Sequence, residues 1–223
     1  VVVPTFASFA LTEMMRGMDD VNQGDFFLTI NTYHDAKRQV EAVKQLAQQN
    51  VDGIVVMTGQ ITNEMTAVLQ QVSVPVVVQG QRSRHFETVN VDNQHAGELL
   101  VPLIANVKPT DVLLLGVDPT SDYNVGQTRF NAIIQALDNN MQRLYTTFDR
   151  TETAEIMRNY LAKHSSPKYI IAATDTIALG ALAALQEQHI AVPANTKIVA
   201  FDNTPAAEIV TPGLSTVSFD YFA

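Results

Sequence analysis

Residues 169–201 read YIIAATDTIALGALAALQEQHIAVPANTKIVAF. Tyr169–Ala173 is a brief apolar run, and Ile198–Phe201 is another. Between them, Thr176–Gln188 is rich in Ala and Leu, both strong helix formers. Asp175 or Thr176 is placed to cap that helix. Strands that are apolar on consecutive positions are those buried on both faces of a parallel sheet. A helix between two such strands makes a right-handed crossover.

The same alternation runs outward in both directions. Strands are expected at Val1–Val3, Phe26–Ile30, Gly53–Met57, Val74–Gln79, Val89–Val91, Val112–Gly116, Leu144–Phe148 and Thr216–Phe219, besides the two above. Asp35–Gln49 puts Ala36, Val40, Val43 and Ala47 on one helical face. Asn93–Ala105 and Thr153–Lys163 are further helices, the former stopped or kinked at Pro102. The pattern is an α/β fold, and so many strands fit two sheets in two lobes better than one. The change from strand to polar helix start near Val91-Asp92 marks the crossing.

The 223 residues are 46% hydrophobic and 17% charged, a globular composition. Without cysteine there is no disulfide scaffold and no Cys-ligated metal, which fits a reducing cytoplasm. Fourteen basic residues against 23 acids give a charge of −9, a poor surface for nucleic acid. No apolar run approaches the roughly 18–20 residues of a membrane span, so no membrane partner is expected. The opening on Val1-Val2-Val3 and the ending on Tyr221-Phe222-Ala223 read as a piece of a longer chain. The glycines form no G-x-G-x-x-G, G-x-S-x-G or Walker A loop. His34, His85, His95, His164 and His189 are scattered, without metal-ligand spacing. No cofactor, metal or catalytic role is therefore expected.

Several segments resemble the effector-binding core of the lactose-repressor (LacI) family of bacterial transcription regulators. Ala173–Gly180 is similar to A-N-D-x-x-A-L-G. Val192-Pro193, Ile198–Asn203 and Thr211–Val217 follow the family's V-P, I-x-G-F-D-[DN] and T-P-x-L-[ST]-T-[VI]. Val51–Val55, Val74–Val78, Val91–Gly97 and Glu13-xx-Arg16-Gly17 match earlier family segments. Each piece is short; their order and spacing along the whole chain make the likeness specific. It implies two similar doubly wound parallel-sheet lobes joined by crossing strands, periplasmic-binding-protein-like, with a ligand cleft between them. The lobes would be 1–91 plus 218–223, and 92–217. The family's preceding helix-turn-helix and its last helix and strand are not in this chain.

Ligands of open α/β sheets lie beyond the carboxyl ends of the strands. That rule selects the loops after Val3, Gln79, Gly116, Phe148, Ala173 and Phe201. Asp202 ends its strand, and a carboxylate there can accept two sugar hydroxyl hydrogens; its alternative role is a cap on the turn at Thr204-Pro205. Arg129 matches a family Arg that reaches the ligand, and its planar fork suits vicinal hydroxyls; the alternative is a solvated helix Arg. Phe148 matches a family aromatic that packs on the sugar face; the alternative is core packing. Neither Asp202 nor Arg129 is assigned to the core, so substituting them should leave stability little changed. The resemblance adds Thr174, where Asn is usual, and Gly80-Gln81, where many relatives have an Asp. It adds Tyr123 in a loop and Ala10 and Leu11 where some relatives have aromatics, with Phe6 and Phe9 as candidates to supply that ring.

The chain thus reads as the effector-binding and dimerisation core of a LacI-like regulator, taken as a cytoplasmic repressor. Its partners would be a small-molecule effector of the sugar class, a second copy of itself, and operator DNA only through the missing N-terminal domain. The dimer face is expected on Asp35–Gln49 and Val51–Leu69. A periplasmic sugar-binding protein is the rival on the same fold; an enzyme of flavodoxin-like architecture would need a cofactor loop that is not found.

Overall fold

The computed structural model describes all 223 residues. They form two compact units: Val1–Val91 with Asp220–Ala223, and Asp92–Phe219.

The first unit runs β1 (Val2–Val3), α1 (Phe9–Asp20), β2 (Ile30–Asn31), α2 (Ala36–Gln48), β3 (Ile54–Met57), α3 (Asn63–Leu69), β4 (Val76–Gln79) and β5 (Glu87–Val89). Its five strands are all parallel, in the order β2-β1-β3-β4-β5. Ser8, Asp35 and Thr62 cap the three helices through their side-chain oxygens, meeting N–H groups that a helix start leaves unpaired. Val2, Ile54 and Val56 pack with Val40, Val43, Leu46, Met65 and Leu69 of α2 and α3. Val3 and Met57 pack with Leu11, Met14, Met15 and Met18 of α1. The sheet is thus covered by helices on both faces.

Two expectations fail here. The run Phe26–Ile30 is not a strand: only Ile30 and Asn31 pair, with Val2 and Val3. Of the earlier residues, Leu28 only offers its carbonyl to the Val1 amino group, and Phe26 is fully exposed. The apolar face of α2 is not a free surface either, because Val40, Ala42, Val43 and Leu46 are spent on the unit's own core.

The second unit runs α4 (Asn93–Glu98), α5 (Val101–Ile104), β6 (Val112–Val117), α6 (Tyr123–Gly126), a 3-10 turn at Thr128–Phe130, α7 (Asn131–Ala136), β7 (Gln142–Thr146), α8 (Arg150–Leu161), β8 (Tyr169–Ala172), α9 (Asp175–Glu187), β9 (Lys197–Asp202), α10 (Pro205–Ile209) and β10 (Ser215–Ser218). The sheet order is β10-β9-β8-β6-β7, again all parallel. Counted from its own first strand, this is the order of the first unit. All six residues of β6 are buried, while the edge strand β7 is largely exposed. The expected helix Asn93–Ala105 is two: α4 ends at Glu98, and Pro102 sits in the first turn of α5, where its missing N–H costs no bond.

Candidate functional site

In each sheet the strand order reverses beside the first strand, between β1 and β3 and between β6 and β8. Open α/β sheets bind ligands beyond the carboxyl ends of the strands at such points. In the second unit that end is built around Arg129, in the 3-10 turn after α6.

Arg129 is 2% exposed. Its Nε–H donates to Asn93 Oδ1 at 2.9 Å, and its Nη1 donates to the carbonyl of Ala173, just past β8. Nη1 also lies 3.4 Å from Asp202 Oδ1, at the end of β9. The guanidinium carbon is 5.0 Å from the Phe201 ring centre and 4.8 Å from that of Phe219, within cation–π range of both. Arg129 is therefore neither a solvated helix Arg nor dispensable to the fold. Its removal would strand a buried amide oxygen and a carbonyl, which corrects the expectation that substitution leaves stability unchanged.

The turn after β9 departs from ordinary backbone. Asp202 has φ 109° and Asn203 φ 52°. A non-glycine residue in this region costs on the order of 1–3 kcal/mol unless its surroundings over-determine it. Here they do: Thr204 N–H donates to Asp175 Oδ2 at 2.6 Å, and Asn203 N–H donates to Thr216 Oγ1 at 3.2 Å. Thr216 Oγ1–H in turn donates to Asp175 Oδ1 at 2.6 Å. Burial pushes the Asp175 carboxyl above the usual range, against the lowering effect of these hydrogen bonds and of nearby Arg129. Asp175 is not the cap of α9. Thr174 is, accepting the Ile177 N–H at 3.2 Å, which leaves the threonine's own hydroxyl hydrogen to donate.

The other expected residues scatter. Phe148 lies two residues past β7, partly buried against the core of the second unit. Tyr123 opens α6 and is exposed. In the first unit, Gly80 and Gln81 follow β4, and Gly80 at φ 92° brings its backbone onto the Thr58 carbonyl. Phe6 and Phe9 are exposed beside the start of α1 and Ala10 is half-buried there, whereas Leu11 turns into the core against Val1, Val3 and Met57. So the structure gathers Asp202, Arg129 and Thr174 about one strand end. Sequence reading missed Asn93, Asp175, Phe201 and Phe219. The one charged residue in the run Ala172–Ala184 was the available signal for Asp175.

Residues 1–208 match the periplasmic binding protein domain. The sucrose operon repressor of Staphylococcus xylosus is 28% identical, across 99% of this chain and 70% of its own length. The chain belongs to the periplasmic binding protein domain family, as the effector-binding core of a LacI-type regulator. Catabolite control protein A of Staphylococcus aureus is 26% identical to this regulator core, across 97% of the chain and 68% of its own length. A LacI family transcriptional regulator from Enterococcus faecium, solved with bound ribose, superposes with a TM-score of 0.83. Its identity is 22%, and the match covers 99% of this chain and 83% of that one. These relatives are regulators rather than enzymes, which agrees with the lack of any catalytic motif in this LacI-type core.

Proposed function

We propose that this core senses a sugar, and that Arg129 and Asp202 hold it. One observation carries the reading: a buried guanidinium beside a carboxylate at the carboxyl ends of β8 and β9, with the pair 3.4 Å apart. A closed charge-assisted bond would be nearer 2.7–2.9 Å. The pair is looser than that, and the donors of Arg129 that the protein takes up are Nε and Nη1. A polyol offers hydroxyls that can accept from the fork and donate to the carboxylate. Thr174 adds a hydroxyl donor beside them, and Phe148 an aromatic face. Within the first unit, the resemblance makes Gly80-Gln81 and the Phe6–Leu11 stretch the proposed ligand contacts. Ribose in a structural neighbour and sucrose in a relative's name support the sugar class. Operator DNA would be bound through a helix-turn-helix outside these residues, in the cytoplasm, as the regulator relatives suggest. Effector controls it only by binding two states unequally.

The test is a thermal-shift screen of ribose, sucrose and further sugars, since a ligand that binds the fold raises its melting point by mass action. The best sugar is then titrated calorimetrically. Asp202→Ala and Arg129→Lys should each weaken it about ten- to a hundredfold. Undiminished binding by Asp202→Ala would make the carboxylate a turn element only. A shift by nucleosides or amino acids and not sugars would overturn the effector class.

A further inference from the structure

The stretch Val91–Gly97 reads V-D-N-Q-H-A-G and leads into α4. We propose that its Asn93 and Gly97 are positioning residues for Arg129, so that α4 sets how the fork meets a ligand. The proposal rests on the reading of Arg129 as a ligand contact.

Asn93 and Gly97 are four apart and so share one face of α4. That face meets Arg129 twice. Asn93 Oδ1 takes the Nε–H, both residues being buried. A Cβ added at Gly97 would sit 2.3 Å from the Arg129 carbonyl oxygen, so any side chain there would push α4 off the turn. Asp92 caps α4 by accepting the His95 N–H at 2.9 Å, which starts the helix with Asn93 as its first residue.

The geometry gives Asn93 a specific task. A guanidinium is planar, and its plane turns about the bonds of its stem. The bond from Nη1 to Ala173 O holds one point of that plane, and the Phe201 and Phe219 rings restrict its tilt. The bond from Nε to Asn93 holds a second point. With both in place the direction of the two Nη2 hydrogens is determined before a ligand arrives. Without Asn93 the group can pivot about the Ala173 contact, and ordering it is charged against binding.

The experiment uses the full chain with D-ribose as probe, read by calorimetry. Asn93→Asp keeps the acceptor, and Asn93→Leu removes it at similar volume. Asn93→Leu should weaken ribose about tenfold, and Asn93→Asp should bind within about twofold of the parent. In an Arg129→Lys background, which has no Nε–H to hold, Asn93→Leu should add no further loss. A loss of equal size in both backgrounds, or parent-like ribose binding by a folded Asn93→Leu, overturns the proposal. A second readout needs no ligand. The Arg129 Nε–H cross-peak, assigned by its absence in Arg129→Lys, should exchange slowly in the parent and in Asn93→Asp, and rapidly in Asn93→Leu. If ribose fails to bind the parent, the choice of sugar falls while the cross-peak still decides the role of Asn93. An unchanged cross-peak overturns it. Should Asn93→Leu not fold, Asn93→Ser, whose short hydroxyl cannot span to Nε, carries the same measurements.

Discussion

At the scale of single residues, Asp175 does the least visible work. It has no exposed surface, yet it fixes the Thr204 N–H and the Thr216 hydroxyl and so braces the left-handed turn that carries Asp202. Burial raises its carboxyl above the value it has in an unfolded chain. For a group whose folded pKa is raised, the stabilising contribution is fully present below the unfolded pKa and is lost as pH rises through the folded one. Asp175→Asn removes that titration and leaves the others in place. In paired thermal melts, the parent's melting point relative to Asp175→Asn should fall as pH rises from about 4 towards neutrality. A difference that stays constant over that range would mean the carboxyl does not titrate differently in the fold.

Among elements, α8 and α9 meet in a tight seam. A Cβ added at Gly180 would lie 2.6 Å from the Arg150 carbonyl oxygen and 2.7 Å from Thr153 Cβ. Thr153 cannot give way, since its hydroxyl is tied to Thr146 and to the Asp149 carbonyl, both at 2.8 Å. Gly180→Ala gains about 1 kcal/mol of helix propensity. Against that, overpacking costs about 1–3 kcal/mol. A net loss of up to about 2 kcal/mol in urea unfolding is expected, with the midpoint lowered. Unfolding that matches or exceeds the parent would show that the helices part without cost. The glycine in A-L-G is thus a packing requirement, as Gly97 is in V-D-N-x-x-A-G.

For the whole molecule, each unit has its own buried core, so the apolar surface left over is informative. In the first unit it is not on α2 or α3; its densest run is the connection from α1 to β2, where Val21, Phe26, Phe27 and Leu28 are exposed. A cluster of large apolar side chains in one short segment fits contact with a second copy. Sedimentation at micromolar concentration should show a dimer, and Phe26→Asp should shift it to monomer. A monomeric parent would defeat the dimer reading; a dimer indifferent to Phe26→Asp would move the contact elsewhere. No helix is long and apolar enough to cross a membrane.

Much of the fold was legible because its determinants are local. Consecutive apolar residues in Val112–Val117 and Tyr169–Ala172, separated by Ala- and Leu-rich helices, make strands buried on both faces whatever surrounds them. Asp202 stood out for the same reason, as a carboxylate ending a buried strand. The fate of Phe26–Leu28 was not local: those residues have the composition of a strand, yet the ladder with β1 takes in only Ile30 and Asn31. Arg129 shows the same limit. Its neighbour Phe130 is a core residue, but nothing local says that the charged side chain beside it would be buried too. Its five contacts come from Asn93, Ala173, Phe201, Asp202 and Phe219, brought in by four separate stretches of backbone. Hydrogen bonding and ring stacking reach only a few ångströms, so which residues share them is decided by how the strands lie side by side. The amino-acid pattern determined that a parallel α/β protein would form and where its strand ends would carry polar groups. Tertiary packing alone decided that one of those groups would be a buried guanidinium held by contacts from four stretches of the chain.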